Sequence, residues 1–100
     1  MKLKFHPEVK NDIDILDGSV KPRLKNTLNK IKKSPELGKP LGNKKGIDLS
    51  GCLKIYFHRK KYRVVYEILN EGEVMVWSIG KREDRIVYLR AYKRILEKGI

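Results

Sequence analysis

The fold is decided by CLKIYFHRKKYRVVYEILNEGEVMVWSI, residues 52–79. Residues alternate with period two, so side chains go to opposite faces of a strand. Leu53, Ile55 and Phe57 share one face, and Cys52, Lys54 and Tyr56 share the other, with His58 next in line. The segment His58 to Lys61 reads as a polar turn. In the following strand Tyr62, Val64, Tyr66 and Ile68 oppose Arg63, Val65 and Glu67. Asn70-Glu71-Gly72 is a hairpin signal, and Val74 to Ile79, rich in β-formers, makes a third strand that Gly80 is expected to end. The stretch is therefore an antiparallel meander.

Outward from the meander the period changes. Asp84 is placed to cap a final helix, with Tyr88, Ala91, Tyr92 and Ile95 along one stripe and Gly99 to stop it. Upstream, Ser34 to Gly51 holds four of the eight glycines and two of the four prolines, and reads as a long irregular connection lying over the sheet. Further back, Val9, Ile13 and Leu16 form an apolar stripe behind Pro7, expected at a first helical position. Ser19 is a candidate cap for a second helix with Val20, Leu24, Leu28 and Ile31 at helical spacing. Lys2 to Phe5 alternates as a short strand. The order predicts one α+β domain over residues 1–100. Two N-terminal helices and a C-terminal helix pack with a small, mainly antiparallel sheet, the helix pair covering its apolar face and the polar face left open.

The charge is unevenly placed. The chain has 24 Lys and Arg against 12 Asp and Glu, a net charge of +12. One acid-free block, Gly18 to Pro35, carries Lys21, Arg23, Lys25, Lys30, Lys32 and Lys33. A second, Leu49 to Tyr66, carries Lys54, Arg59, Lys60, Lys61 and Arg63, with aromatics between them. Such blocks suit a polyanion, although a basic helix face also merely solvates a surface. With 40% hydrophobic residues the chain is not a disordered basic tail. No apolar run is long enough to span a membrane, and the N-terminus lacks the apolar region of a secretory signal. The single cysteine, Cys52, excludes an internal disulfide framework and a cysteine-based zinc site, so a reducing cytoplasm is the expected compartment.

Lys54, Tyr56, His58 and Arg63 fall on the polar face, Arg82 just past the third strand and Tyr88 in the first turns of the last helix. Cations serve phosphate oxygens, and aromatics stack on bases. Paired carboxylates, a metal cluster and a Ser-His-Asp set are all lacking there. Chemistry on this patch would be metal-free and would act on an anion. RNA fits, because its own 2′-hydroxyl is the nucleophile and needs only orientation, deprotonation and charge stabilisation. Each residue also has a plainer reading. Arg63 could pair with Glu67 or Glu73, Tyr88 could pack a helix on the sheet, and Lys54 could be solvated charge. Arg82 could end a strand, and His58 could be an idle turn residue. Trp77, Tyr66 and Phe57 read as core, and Cys52 as an inert packing residue.

Leu49-Ser50-Gly51-Cys52-Leu53-Lys54-Ile55, Tyr62-Arg63-Val64-Val65-Tyr66, Ile79-Gly80-Lys81-Arg82-Glu83, Val87-Tyr88 and Ala91-Tyr92-Lys93-Arg94-Ile95 together resemble the RelE/ParE toxin superfamily of bacterial type II toxin–antitoxin systems. The likeness is nearest to its RelE-like ribosome-dependent mRNA interferases. It is specific from Leu49 to Leu96 and rests on element order before that. It implies a toxin that cleaves translated mRNA in the ribosomal A site without a cofactor, bound and neutralised by a cognate antitoxin. By position it implies a basic catalytic residue at Lys54, a phosphate-binding arginine at Arg63, a second active-site arginine at Arg82 and an mRNA-orienting tyrosine at Tyr88. The family's second lysine, its proposed general base, is replaced here by Tyr56, so either His58, Tyr56 or Lys54 takes that role or activity is weakened. Lys21, Arg23, Lys25, Lys30, Lys32, Lys33, Arg59, Lys60, Lys61 and Lys81 are candidates for contact with RNA or the ribosome. Two readings compete: a ParE-like gyrase inhibitor without nuclease activity, and a plain basic nucleic-acid-binding module.

Overall fold

The structure, a computed structural model, describes residues 1–82 and 85–98. The expected caps Asp84 and Gly99 lie outside them. The chain runs β1 (Lys2–Phe5), α1 (Val9–Asp14), α2 (Lys21–Lys33), a 3-10 turn (Pro35–Leu37), β2 (Lys39–Pro40), β3 (Asn43–Lys44), β4 (Ile47–Asp48), β5 (Cys52–Phe57), β6 (Tyr62–Asn70), β7 (Glu73–Lys81) and α3 (Ile86–Lys98). Five strands form one sheet in the order β1-β7-β6-β5-β2, and β3 with β4 makes a separate hairpin. The expected meander is its centre. β1 joins it parallel to β7, and the other pairings are antiparallel.

Alternation along the meander sorts the core into two layers. Val64, Tyr66, Val74 and Val76 meet Val9, Val20, Leu24 and Ile31 of the helix pair. On the other face Val65, Met75 and Trp77 meet Val87 and Ala91 of α3, with Leu49 and Cys52 alongside. The expectation of one open sheet face is thus corrected: α3 covers much of it, because its stripe of Val87, Ala91 and Ile95 needs an apolar partner as much as α2 does. Towards its end near Tyr56, Lys54, Tyr56 and Tyr88 stay partly exposed. The register of β6 on β7 shifts between Val65 and Tyr66, which pair with Ser78 and Val76. This bulge leaves Trp77 and Ser78 both on the α3 side, where the Ser78 hydroxyl donates to the Val87 carbonyl at 2.6 Å. Ile79 then returns to the α2 side. The strand continues through Gly80 to Lys81, so Gly80 does not end it.

Three local expectations also change. Pro7 precedes α1 in a turn, with Glu8 at the N-cap. Val20, not Ser19, takes the N-cap of α2, and Ser19 instead donates its N–H to Asp17 Oδ1 at 3.4 Å. The segment after α2 is not irregular. It supplies the edge strand β2 and the β3–β4 hairpin, because Lys45 and Gly46 adopt the positive φ of 52° and 80° that a tight hairpin turn requires.

Tyr66 ties this segment down. Its hydroxyl donates to the Pro35 carbonyl at 2.6 Å and accepts the Gly38 N–H at 3.0 Å. Gly38 has to be glycine, since a Cβ there would overlap that hydroxyl. Tyr66→Phe leaves both backbone groups without the side-chain partner and should lower stability by about 2 kcal/mol, read as a lower urea midpoint with an unchanged slope.

A second tie is buried and ionic. Past Val76, β1 no longer accompanies β7. There the Ile79 N–H donates to Asp12 Oδ2 at 3.0 Å, and the Trp77 carbonyl accepts from Arg94 at 2.9 Å. Arg94 also grips Asp12 through both terminal nitrogens, at 2.7 and 3.0 Å. Asp12, only 2% exposed, thus joins α1 to β7 and α3. No helix among the described residues is long and apolar enough to cross a membrane.

Candidate active site

The partly exposed end of the second face is built from four elements. Tyr56 on β5 is the register partner of Arg63 on β6, which in turn faces Gly80 on β7. Gly80 carries no side chain, and a Cβ there would stand 3.3 Å from Val87 Cβ. The glycine therefore lets the first turn of α3 descend onto the sheet. That descent brings the Tyr88 ring to 4.6 Å from the Arg63 guanidinium carbon.

Tyr56 is the hub. Lys54 Nζ lies 5.3 Å from its ring centre, the Arg63 guanidinium carbon 5.1 Å and that of Arg82 5.3 Å. Attraction of cations to the ring offsets part of their mutual repulsion. Arg63 is 6% exposed, and its Nε has no hydrogen-bond partner. Among the described residues neither Glu67 nor Glu73 pairs with it: Glu67 accepts from the Trp77 ring N–H at 3.1 Å and Glu73 bridges Lys4 at 2.7 Å. A buried guanidinium without a carboxylate is unusual, because buried charges are ordinarily paired. Burial lowers its pKa, the Tyr56 phenol opposes that, and Arg82 adds to it; an arginine nonetheless stays charged. Tyr56 is pushed below the ordinary tyrosine value, chiefly by hydrogen bonding to Lys54 against some desolvation, with the charges of Lys54, Arg63 and Arg82 helping. The arrangement can bind an oxyanion and makes the Tyr56 phenol easier to ionise than a free one.

His58 does not join this group. Positive φ values of 51°, 58° and 64° at His58, Arg59 and Lys60 turn the chain tightly after β5. The His58 ring then lies 5.9 Å from that of Tyr62, a residue packed against the α2-side core. The structure thus groups Lys54, Tyr56, Arg63, Arg82 and Tyr88, while His58 lies beside Tyr62 with its Nδ1 buried and without a hydrogen-bond partner among the described residues. The basic residues Lys21, Arg23, Lys25, Lys30, Lys32 and Lys33 line the exposed side of α2, and Arg59, Lys60, Lys61 and Lys81 are exposed near the β5–β6 turn. Trp77, Tyr66 and Phe57 are buried core, and burial pushes the Cys52 thiol up to about 12, consistent with an unreactive packing residue.

Beside the cluster a cleft of about 300 Å³ opens between the β3–β4 hairpin and α3. Lys54 and Tyr88 border it together with Lys44, Lys45 and Arg85, over a floor that includes Leu41, Ile47 and Leu49. The sequence did not single out Lys44 or Lys45, because the Lys44-Lys45-Gly46 run looks like ordinary solvated loop until its hairpin folds back towards α3.

Residues 3–86 match the sequence profile of the ParE toxin of type II toxin–antitoxin systems, parDE. The mRNA interferase toxin RelE of Escherichia coli K12 is 38% identical over 84 residues, covering 81% of this chain and 82% of that protein. A mutant E. coli toxin RelE in the free state superposes with a TM-score of 0.72 at 33% identity, over 93% of this chain and 95% of the other. In the intact E. coli RelBE toxin–antitoxin complex the matching chain gives 0.64 at 30% identity, over 82% and 96%. The profile, the identity and the shared architecture agree with the site-bearing strands quoted above, and on them this chain belongs to the RelE/ParE superfamily of type II toxins.

Proposed function

We infer that the whole chain is one toxin domain of a type II toxin–antitoxin pair and that it is an endoribonuclease cutting translated mRNA in the ribosomal A site, in the bacterial cytoplasm. The observation that carries this reading is Arg63, buried without a carboxylate partner among the described residues and grouped with Lys54, Tyr56, Arg82 and Tyr88, two of whose rings it contacts. Such a guanidinium is poised for a phosphodiester. Similarity to proteins named mRNA interferase supports it.

In this reading the RNA 2′-oxygen attacks the adjacent phosphorus as its proton passes to the Tyr56 phenolate. The bond to the 5′-oxygen breaks, and Lys54 returns a proton to that leaving oxygen. The products are a 2′,3′-cyclic phosphate and a 5′-hydroxyl, and no metal or cofactor enters the balance. Arg63 and Arg82 hold the phosphate oxygens as charge builds up. Tyr88 stacks on a neighbouring base. The basic side of α2 and the β5–β6 turn dock on ribosomal RNA, and a cognate antitoxin covers the site.

Ribosomes programmed with mRNA should be cut only when the protein is added, with new 5′ ends mapped by primer extension. The choice of base has its own signature. A phenolate is required, so the rate should rise with pH and level off below the ordinary tyrosine pKa, because the cations lower it. Tyr56→Phe should lose that limb and roughly 10²–10⁴ in single-turnover rate; a pH profile with the limb intact would move the base elsewhere. The gyrase-inhibitor reading predicts blocked supercoiling with mRNA uncut, and the expected result here is the reverse.

A further inference from the structure

We propose that Lys39, on the edge strand β2, is a substrate-binding residue, and that with Lys54 it holds the mRNA phosphate adjoining the one on Arg63. The proposal rests on the endoribonuclease reading above and adds to it a residue from the segment after α2.

The register carries it. Lys39 is the cross-strand partner of Lys54. Directly opposed residues of an antiparallel pair point to the same face, so both lysines stand on the side of the sheet that bears Tyr56 and Arg63. Two like charges set opposite each other destabilise a sheet. The chain nonetheless pins this pairing from both sides. The Gly38 N–H donates to the Tyr66 hydroxyl at 3.0 Å, and the Leu41 N–H donates to the Cys52 carbonyl at 2.9 Å. A slip of one residue, which would turn Lys39 to the other face, is thereby blocked. Protection of the sheet edge does not account for the lysine, because the next residue, Pro40, lacks a donor and already blunts that edge. An anion between the two ammonium groups removes their repulsion, which makes the pair a ready anion site.

Position names the anion. With Lys39 the site carries a cation at each successive strand: Arg82 at the end of β7, Arg63 on β6, Lys54 on β5 and Lys39 on β2. Three strand spacings draw this row out over about 14 Å, the reach of a nucleic-acid backbone and not of one phosphate. A single strand with its scissile phosphate on Arg63 therefore brings the next phosphate to the β5–β2 end. Lys39 is exposed there and Lys54 half-buried, so a flexible backbone reaches both.

The test is a double-mutant cycle between protein and RNA. A short RNA, made uncleavable by a 2′-O-methyl group at the cut, carries either ordinary phosphates or a neutral methylphosphonate on one side or the other of the scissile position. Lys39→Ala should weaken binding of the ordinary RNA about tenfold at low salt and reduce the slope of log K against log salt by about 0.7. At one of the two positions the methylphosphonate should cost the parent a similar factor and cost Lys39→Ala nothing further. Lys10→Ala, which removes the same charge from exposed α1, should show no such coupling. On ribosomes Lys39→Ala should need more toxin for half-maximal cutting, with the single-turnover rate at saturation retained. Lys39→Glu separates binding from folding. It should weaken binding further while raising the thermal midpoint, because a carboxylate opposite Lys54 is attractive. Additive effects of Lys39→Ala and the methylphosphonate at both positions would place Lys39 off the mRNA, on ribosomal RNA or in solvent, and overturn the proposal. A lower midpoint in Lys39→Glu also overturns it, since Lys39 would then already have a carboxylate partner, Glu83 and Asp84 outside the described residues included. If the unaltered protein cuts no mRNA, the activity reading falls, and the binding cycle still decides Lys39.

Discussion

Arg63→Ala should abolish mRNA cleavage on ribosomes, by about 10²–10³ in single-turnover rate, while the protein still folds. The size follows from what Arg63 is asked to do. It is buried, so its charge acts in a medium less polarisable than water, where it stabilises a developing phosphorane more than an exposed lysine would. It spends none of that charge on a carboxylate among the described residues. Removing it should cost the fold little, because what is lost is a desolvated cation held against two rings rather than a satisfied ion pair. Stability should stay level or rise. Arg63→Lys sharpens the point: a lysine keeps the charge but cannot present a planar fork to two phosphate oxygens, and should recover only part of the rate. Ribosome-dependent cleavage at the parental rate in Arg63→Ala, with the folded state verified by circular dichroism, would remove Arg63 from the site.

Much of this architecture was legible in the chain. Period-two alternation from Cys52 to Ile79 gave the meander and its two faces, because each strand is half of a layered core and its side chains must sort. Lys54, Tyr56 and Arg63 could be placed together for the same reason, being adjacent on one face of paired strands. Other features depend on non-local packing. The bulge that turns Ser78 towards α3 has no local sequence mark, and it sets where the last helix sits. Gly80 reads as a strand terminator until the helix is seen descending on it. His58 falls in line on paper, yet three positive φ values in the turn carry it to Tyr62 instead. Asp12 is the clearest case. In α1 it looks like a solvated acid beside Ile13, and only the third dimension supplies an arginine 82 residues away.

That arginine makes the second large prediction. Asp12→Ala should destabilise the protein by about 3–5 kcal/mol, because it leaves Arg94 buried, charged and without its carboxylate. For a domain of this size, whose total stability is of order 5–15 kcal/mol, the loss should lower the thermal midpoint by at least about 12 °C. Arg94→Ala should cost a similar amount, stranding Asp12 at 2% exposure with Arg90 as its only other cation among the described residues, 3.5 Å away and reaching it from a partly exposed position. The double variant Asp12→Leu/Arg94→Met separates the two components of this cost. If the singles fail because a lone charge is buried, removing both charges at similar volume should return much of the stability. Recovery should stop short of the parent, since the Ile79 N–H and the Trp77 carbonyl still lose the partners that replace β1 along this part of β7. A double variant as unstable as the sum of the singles would instead mean that the pair acts by shape, filling the junction of α1, β7 and α3. Cleavage gives a further readout, because the pair anchors α3 nearly two turns beyond Tyr88. A double variant that regains stability but not rate would show the ion pair setting the helix's angle, and with it the contact of Tyr88 on Arg63.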